Sequence, residues 1–162
     1  GSLLNFCIGQ GEILVTPIQV FNYINLLATK GNSNSPHLVS STKKVSENEI
    51  PLSPQIWDRI IFDMGQVVSH AKGTGKNADP AIRGAKIYGK TGTAENPHGE
   101  DHAWFIGWVE YEKKKFSIVV LLENSGSGGA VAAPLAKNIF GKIVLGINNS
   151  KQISMKWNFY MK

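Results

Sequence analysis

A seven-residue stretch near the middle of the chain combines a cation, two hydroxyl groups and two glycines. Its sequence is Gly89-Lys90-Thr91-Gly92-Thr93-Ala94-Glu95, and we predict that it forms a β-strand. Thr91 and Thr93 are two residues apart, so their side chains point to the same face of a strand. Glycines within a strand often mark the close approach of a ligand or of another backbone. The pattern therefore predicts a strand that is open to a second peptide; the alternative is an edge strand whose lysine only prevents aggregation.

The composition is that of one globular domain with a substantial core. The 162 residues are 42% hydrophobic and carry a formal net charge of +5. The lysines are scattered, and no basic stripe is interleaved with aromatic residues, so we expect no nucleic-acid partner. No uninterrupted apolar run reaches the roughly 18 residues of a membrane span. The single cysteine, Cys7, excludes an internal disulfide, and its apolar surroundings predict a buried packing role.

Two predicted helices begin in the same way, with a capping residue followed by proline at the first helical position. Thr16-Pro17 opens one and Ser53-Pro54 opens the other. Apolar residues at helical spacing extend them to about residues 30 and 69. A third helix is predicted from Ala130 to about residue 145. The glycine-rich run before it, residues 124–129, is interpreted as a flexible loop.

Three strands are predicted in the second half of the chain, at residues 86–95, 102–111 and 116–122. Residues 102–111 are apolar at successive positions, so both faces of that strand should be covered. The short turn that follows predicts an antiparallel hairpin with the next strand. We therefore predict an α+β fold, an antiparallel sheet with helices packed on it.

The ends and the first long connection are less regular. Gly1-Ser2 is typical of a cloning remnant, and residues 3–147 are assigned to the domain. Residues 148–162 form a tail, for which an added strand or a disordered end is favoured over a role at a membrane surface. Residues 31–52 are polar and predict a surface connection, with a short strand at residues 37–39.

Four segments together resemble the class B penicillin-binding proteins, and among them the elongation transpeptidases. They are Ile8-Gly9-Gln10-Gly11, Thr16-Pro17-Ile18-Gln19, the stretch Gly89 to Glu95, and His102-Ala103-Trp104-Phe105-Ile106-Gly107. The resemblance covers about residues 3–146 and implies part of a penicillin-binding/β-lactamase-like fold. It also implies a serine acyltransferase that cross-links peptidoglycan stem peptides ending in D-Ala-D-Ala and is acylated by β-lactams.

The resemblance also implies the setting of the parent protein. It would be anchored in the bacterial inner membrane, with this domain in the periplasm or outside the cell, and would work with a membrane glycosyltransferase of the elongation machinery. No cofactor is implied. The chain itself would be a soluble piece of that parent.

The resemblance assigns roles to the residues of the motif strand. Lys90 would face the catalytic serine and its neighbouring lysine and would steady negative charge. The hydroxyls of Thr91 and Thr93 would hold the substrate carboxylate, and the backbone N–H of Thr93 would be one of two oxyanion-hole donors. Gly92 would let the substrate backbone lie alongside the strand.

Two further motifs that the family needs, Ser-x-x-Lys and Ser-x-Asn, have no convincing match. The candidate serines are Ser41, Ser46 and Ser69. The first two lie in the polar connection, and Ser69 ends a predicted helix, whereas the family's nucleophile opens a buried helix far upstream. We therefore expect this chain to lack the nucleophile and to be inactive alone.

Two other functions are compatible with the sequence: a β-lactamase-type hydrolase and a non-catalytic β-lactam-sensing domain. His98, Glu100, Asp101 and His102 also suggest a metal site. Their spacing is too tight for a helical site, so we interpret them as a solvated turn and expect no metal.

Overall fold

The computed structural model of the protein describes residues 2–7, 9–11, 14–34, 36 and 46–160. Its elements are α1 (Ser2–Cys7), α2 (Pro17–Ala28), β1 (Asn32–Asn34), β2 (Ser46–Glu49), α3 (Pro54–Ser69), β3 (Lys86–Ala94), β4 (His102–Tyr111), β5 (Lys114–Leu122) and α4 (Ala133–Tyr160). A 3₁₀ turn spans Lys76–Ala78, and a π-helical turn, Gly128–Ala132, leads into α4. The α+β class is confirmed. The strand predicted at residues 37–39 lies outside the described residues.

The sheet that carries the motif has three antiparallel strands in the order β3-β4-β5. The predicted strands and the hairpin between the last two are confirmed to within two residues at each end. In the register of β3 with β4, Gly92 lies opposite Trp104 and Lys90 lies opposite Ile106. The motif therefore lies on β3, at one edge of this sheet.

Strand β4 is covered on both faces, as its sequence predicts. Phe105 packs against Phe140 of α4, whereas Trp108 on the opposite face packs against Ile24 of α2 and Trp57 of α3. These five side chains are buried, and full burial of each large apolar side chain contributes about 1.5–3 kcal/mol. The sheet is thus a middle layer between α4 and the pair α2–α3.

Helix α2 begins and ends as local chemistry dictates. The Thr16 hydroxyl accepts a hydrogen bond from the Gln19 N–H, and Gln19 Oε1 accepts one from the Thr16 N–H at 2.8 Å, which is a capping box. At the other end the Gly31 N–H donates to Leu26 O. A side chain at Gly31 would lie 2.7 Å from the Trp57 ring, so glycine also allows the close packing of α3. The bounds of α3 match their prediction.

Helix α4 extends well beyond its predicted end near residue 145. Its backbone is helical to Tyr160, so the prediction of an added strand or a disordered end for the tail is wrong. The physical reason is that neither glycine nor proline occurs between Asn148 and Tyr160 to stop a helix. The proposed domain boundary after residue 147 stays a prediction, and the helix runs across it.

Apolar composition and burial do not always coincide in this chain. Among the described residues, Gly128–Asn149 is the one helix with the length and apolar composition of a membrane span. Its Ala136, Phe140 and Val144 are fully buried against the sheet, and 33% of its most apolar window is buried in all. Cys7, expected to be buried, is exposed, because the side chains of this part of α1 face outward.

Candidate active site

A groove of about 970 Å³ runs along β3 on the side of Lys90. One wall comes from the segment between α1 and α2, including Gln10, Leu14 and Val15. The other side is β3 from Lys90 onward, and Trp104 and Ile106 of β4 form part of the floor. The groove therefore joins the first resemblance segment to the motif strand, although more than 70 residues separate them in sequence.

Gly92 is placed where a side chain would close the groove floor. It lies opposite Trp104, and a Cβ atom at position 92 would lie 3.3 Å from the Trp104 Cβ. Lys90, two residues earlier, points to the same face of the strand and is exposed. The exposed cation and the uncovered backbone of Gly92 thus adjoin each other in the groove.

The hydroxyls of Thr91 and Thr93 lie on the opposite face of β3 from the Lys90 side chain, as alternation requires. The Thr91 side chain is buried, with 8% of the residue exposed, and its hydroxyl donates to the Thr74 hydroxyl at 2.8 Å. The Thr93 residue is exposed, and its hydroxyl accepts a hydrogen bond from the Gly128 N–H at 3.2 Å. Of the two threonines, Thr93 is the exposed residue, and its hydroxyl keeps its own proton for donation while it accepts from Gly128.

The backbone of Gly128 packs directly behind the motif. A Cβ atom at this position would lie 2.3 Å from both Gly92 O and Trp104 O, a distance that no side chain can occupy. Asn77 Nδ2 donates to the carbonyl of Gly129 at 3.1 Å and holds the same turn. The last two residues of the run interpreted as a flexible loop, Gly128 and Gly129, therefore form a packed support of the strand, whereas Asn124, Ser125 and Ser127 are exposed. The repeated glycines are the signal for this packing in the sequence.

Two side chains cap the carbonyl groups on the outer edge of β3. Lys90 Nζ donates to Thr91 O at 2.5 Å, and Gln10 Nε2 donates to Thr93 O at 2.8 Å. In an antiparallel pair, alternate residues of an edge strand turn both N–H and C=O away from the neighbouring strand. The N–H of Thr93 therefore points outward on the same side as the carbonyl that Gln10 contacts.

The turn between β3 and β4 is joined to the loop after β5. Asn96 Nδ2 donates to Asn124 Oδ1 at 2.6 Å, and the Asn124 N–H donates to His102 Nδ1 at 3.0 Å. His98 and Glu100 are exposed, as a solvated turn predicts. In the described ranges, no group of three or more His, Cys, Asp or Glu side chains is arranged to hold a metal ion.

One tyrosine near the motif has an altered acidity. Burial, followed by the charge and hydrogen bond of Glu110, raises the pKa of Tyr88 above its ordinary value. Its ring stacks on Trp108 with centroids 4.8 Å apart. Tyr88 is two residues before Lys90 on the same face, and it stays neutral at physiological pH.

Ser69 is the one candidate serine whose side chain the structure describes, and it does not lie at the motif. Ser69 and Lys72 are exposed at the end of α3 and do not line the groove. Ser46 begins β2, and Ser41 lies outside the described residues.

The family model of the penicillin binding protein transpeptidase domain matches residues 1–141. The chain therefore belongs to the penicillin-binding protein transpeptidase family, and the predicted relation to class B members and to a partial fold of this kind is confirmed. Its resemblance within the family is to penicillin-binding protein 2, also called MrdA. The peptidoglycan D,D-transpeptidase MrdA of Haemophilus influenzae is 33% identical over 164 residues, covering 86% of this chain and 25% of that protein.

Solved structures agree with this assignment. The crystal structure of Pseudomonas aeruginosa PBP2 in complex with WCK 5153 aligns with a TM-score of 0.74 and 33% identity, over 86% of this chain and 32% of that one. The imipenem acyl-enzyme complex of penicillin-binding protein A from M. tuberculosis aligns with a TM-score of 0.69 and 28% identity, over 85% and 32%. The chain thus spans about a quarter to a third of these three proteins.

Proposed function

We propose that this chain supplies the Lys-Thr-Gly wall of a serine-type D,D-transpeptidase of the penicillin-binding protein 2 kind. The whole enzyme would cross-link peptidoglycan stem peptides during cell elongation. The observation that carries this proposal is the groove along the outer edge of β3, which is lined by the consecutive motif residues Lys90, Thr91, Gly92 and Thr93 and in which Lys90 and Thr93 are exposed.

The residues of the groove fit the parts of an acyl transfer. A serine would attack the carbonyl carbon of the penultimate D-Ala and pass its proton to a neighbouring base, and the peptide bond to the last D-Ala would break as that D-Ala leaves with the proton on its amine. An amine of a second stem peptide would then attack the acyl-serine ester, lose a proton and release the serine. The outward N–H of Thr93 would donate to the oxyanion that forms at the attacked carbonyl; loss of one such donor costs about 100- to 1000-fold in rate. The ammonium of Lys90 would favour the deprotonated form of a catalytic lysine beside it.

The substrate carboxylate would be held by the Thr93 hydroxyl together with the Lys90 charge. The hydroxyl of Thr91 is already bonded to Thr74, so the contribution of Thr91 to substrate binding would come through its outward backbone. Gly92 would leave space for the substrate to lie along the strand edge as an added strand.

The nucleophile would come from a part of the enzyme other than this chain. This is supported by the exposed position of Ser69 and Lys72 outside the groove. The chain alone would therefore be inactive, and the natural setting would be a membrane-anchored parent with this domain outside the cytoplasm and a membrane glycosyltransferase as its partner.

The test is covalent labelling with a fluorescent penicillin, applied to the whole transpeptidase and to this chain separately. We expect a stable label on the whole enzyme and none on the chain. Labelling of the chain would show that it holds its own nucleophile. Rapid release of hydrolysed penicillin from the whole enzyme would instead support a β-lactamase-type hydrolase, because a transpeptidase accumulates the acyl-enzyme. Reversible binding without a covalent product would favour the sensing domain.

A further inference from the structure

The outer edge of β3 is occupied by donors from the chain itself. The carbonyl of Thr93 accepts from Gln10 Nε2 at 2.8 Å, and the carbonyl of Thr91 accepts from Lys90 Nζ. A peptide that adds to a strand edge makes its main-chain hydrogen bonds to such outward carbonyls. The free groove therefore already contains substitutes for the donors that a peptide would bring.

Gln10 is presented to β3 by the end of helix α1. The Gly9 N–H donates to Phe6 O at 2.9 Å, and the Gln10 N–H donates to Asn5 O at 2.8 Å. Gly9 has a positive φ of 77°. These features define a Schellman motif, which satisfies the last carbonyls of a helix and fixes the direction of the following chain. This motif thus fixes the backbone position from which the Gln10 side chain donates its hydrogen bond to Thr93 O.

The carboxamide of Gln10 is chemically equivalent to a peptide amide as a donor. Gln10 also lines the groove, so its side chain lies where the donor of a docked peptide must approach Thr93 O. A ligand with its own amide N–H exchanges one hydrogen bond for another when it displaces Gln10. A ligand without such a donor gains nothing from the displacement and can leave the Gln10 contact in place.

We propose that Gln10 is a specificity-determining residue of the groove, which occupies the Thr93 carbonyl in the free site and competes with the amide donor of the ligand. The inference rests on the proposed transpeptidase function. In the wild-type enzyme, Gln10 would therefore lower the acylation rate constant of ligands that carry the amide N–H. It would not affect ligands that lack the amide N–H.

The experiment compares acylation of the whole transpeptidase by two β-lactams. Penicillin G carries an acylamino N–H beside the reactive ring, whereas the same compound methylated on that nitrogen carries no hydrogen-bond donor there. The quantity measured is the ratio of the two second-order acylation rate constants, penicillin G over its N-methyl derivative. Because both constants come from the same preparation, any unfolded fraction cancels from the ratio.

In Gln10→Ala the ratio should rise by about two- to tenfold, the range expected for one net hydrogen bond. Gln10→Glu should raise it as well, because a carboxylate cannot donate to Thr93 O. Gln55→Ala, at an exposed glutamine in the first turn of α3, is the matched control and should keep the wild-type ratio.

The outcomes separate the two proposals. If the wild-type enzyme is acylated and the ratio in Gln10→Ala is unchanged or lower, Gln10 does not compete with the ligand amide for Thr93 O. The transpeptidase assignment is unaffected by that result. If neither β-lactam acylates the wild-type enzyme, the proposed function fails and this inference fails with it.

Discussion

The hydroxyl of Thr93 accepts a hydrogen bond from the backbone N–H of Gly128 at 3.2 Å. This contact joins the motif strand to the π-helical turn that leads into α4, 35 residues further along the chain. The exposed end of the motif is therefore held by the backbone N–H of Gly128. A backbone group, unlike a side chain, has no alternative rotamer. A strand supported in this way can keep its edge groups in place when a ligand leaves or enters.

Gly128→Ala tests this support. The new Cβ would lie 2.3 Å from Gly92 O and from Trp104 O, so the turn or the strand must shift, at a cost of about 1–3 kcal/mol. The measurement is the free energy of unfolding of the chain by chemical denaturation.

Gly146→Ala is the matched control for that change. Gly146 lies within α4, and no atom lies within 4 Å of the position that a Cβ would take there. Alanine is favoured over glycine inside a helix by about 1 kcal/mol, so this variant should be as stable as the wild type or more stable. Equal effects of the two variants would contradict the claimed role of Gly128.

The paired hydroxyls of Thr91 and Thr74 should show a measurable coupling. Thr91→Val and Thr74→Val each remove one partner of the 2.8 Å bond. A double-mutant cycle on the free energy of unfolding should give a coupling of about 0.5–1.5 kcal/mol. A coupling near zero would mean that the bond does not hold the strand, and the hydroxyl of Thr91 would then be available for substrate after all.

Lys90→Ala should lower the rate of acylation of the whole transpeptidase by penicillin by more than tenfold. The exposed ammonium lies in the groove, and a fixed cation stabilises negative charge that develops there. Lys86→Ala, at an exposed lysine of the same strand that does not line the groove, is the control. Similar rates for Lys90→Ala and wild type would remove Lys90 from the proposed mechanism.

Tyr88 should make the chain less stable at alkaline pH. Burial and the nearby Glu110 raise the pKa of this tyrosine above 10.0 in the folded state. Between the unfolded and folded pKa values the folded chain binds more protons, so stability is intact below about pH 10 and falls as pH rises through the folded pKa. Thermal unfolding measured from about pH 8 to pH 11 should show this loss.

Tyr88→Phe should reduce the alkaline loss, because it removes the ionisable group while keeping the ring stacked on Trp108. Tyr23→Phe, at an exposed tyrosine of α2, should retain the wild-type slope. If Tyr88→Phe shows the same loss as the wild type, another group causes it.

Local structure could be predicted from the amino-acid sequence. The starts of α2 and α3 follow from a Thr-Pro and a Ser-Pro pair, although only Thr16 makes a side-chain capping bond and Ser53 makes none. The three strands follow from their apolar patterns, and the motif strand follows from its glycines, threonines and lysine. These signals are local, because capping, alternation and turn chemistry act over a few residues. The family could be predicted from four such short segments for the same reason.

Which of these groups meet depends on the packing of distant segments. The Gln10 carboxamide reaches Thr93 across 83 residues, the Thr91 hydroxyl is taken by Thr74, and Gly128 packs behind Gly92. No local pattern encodes these contacts, because they depend on how α1 and α4 are placed against the sheet. The exposure of Cys7 and the different hydrogen-bond partners of the two threonines have the same origin: a side chain's neighbours are fixed only when distant segments bury one another.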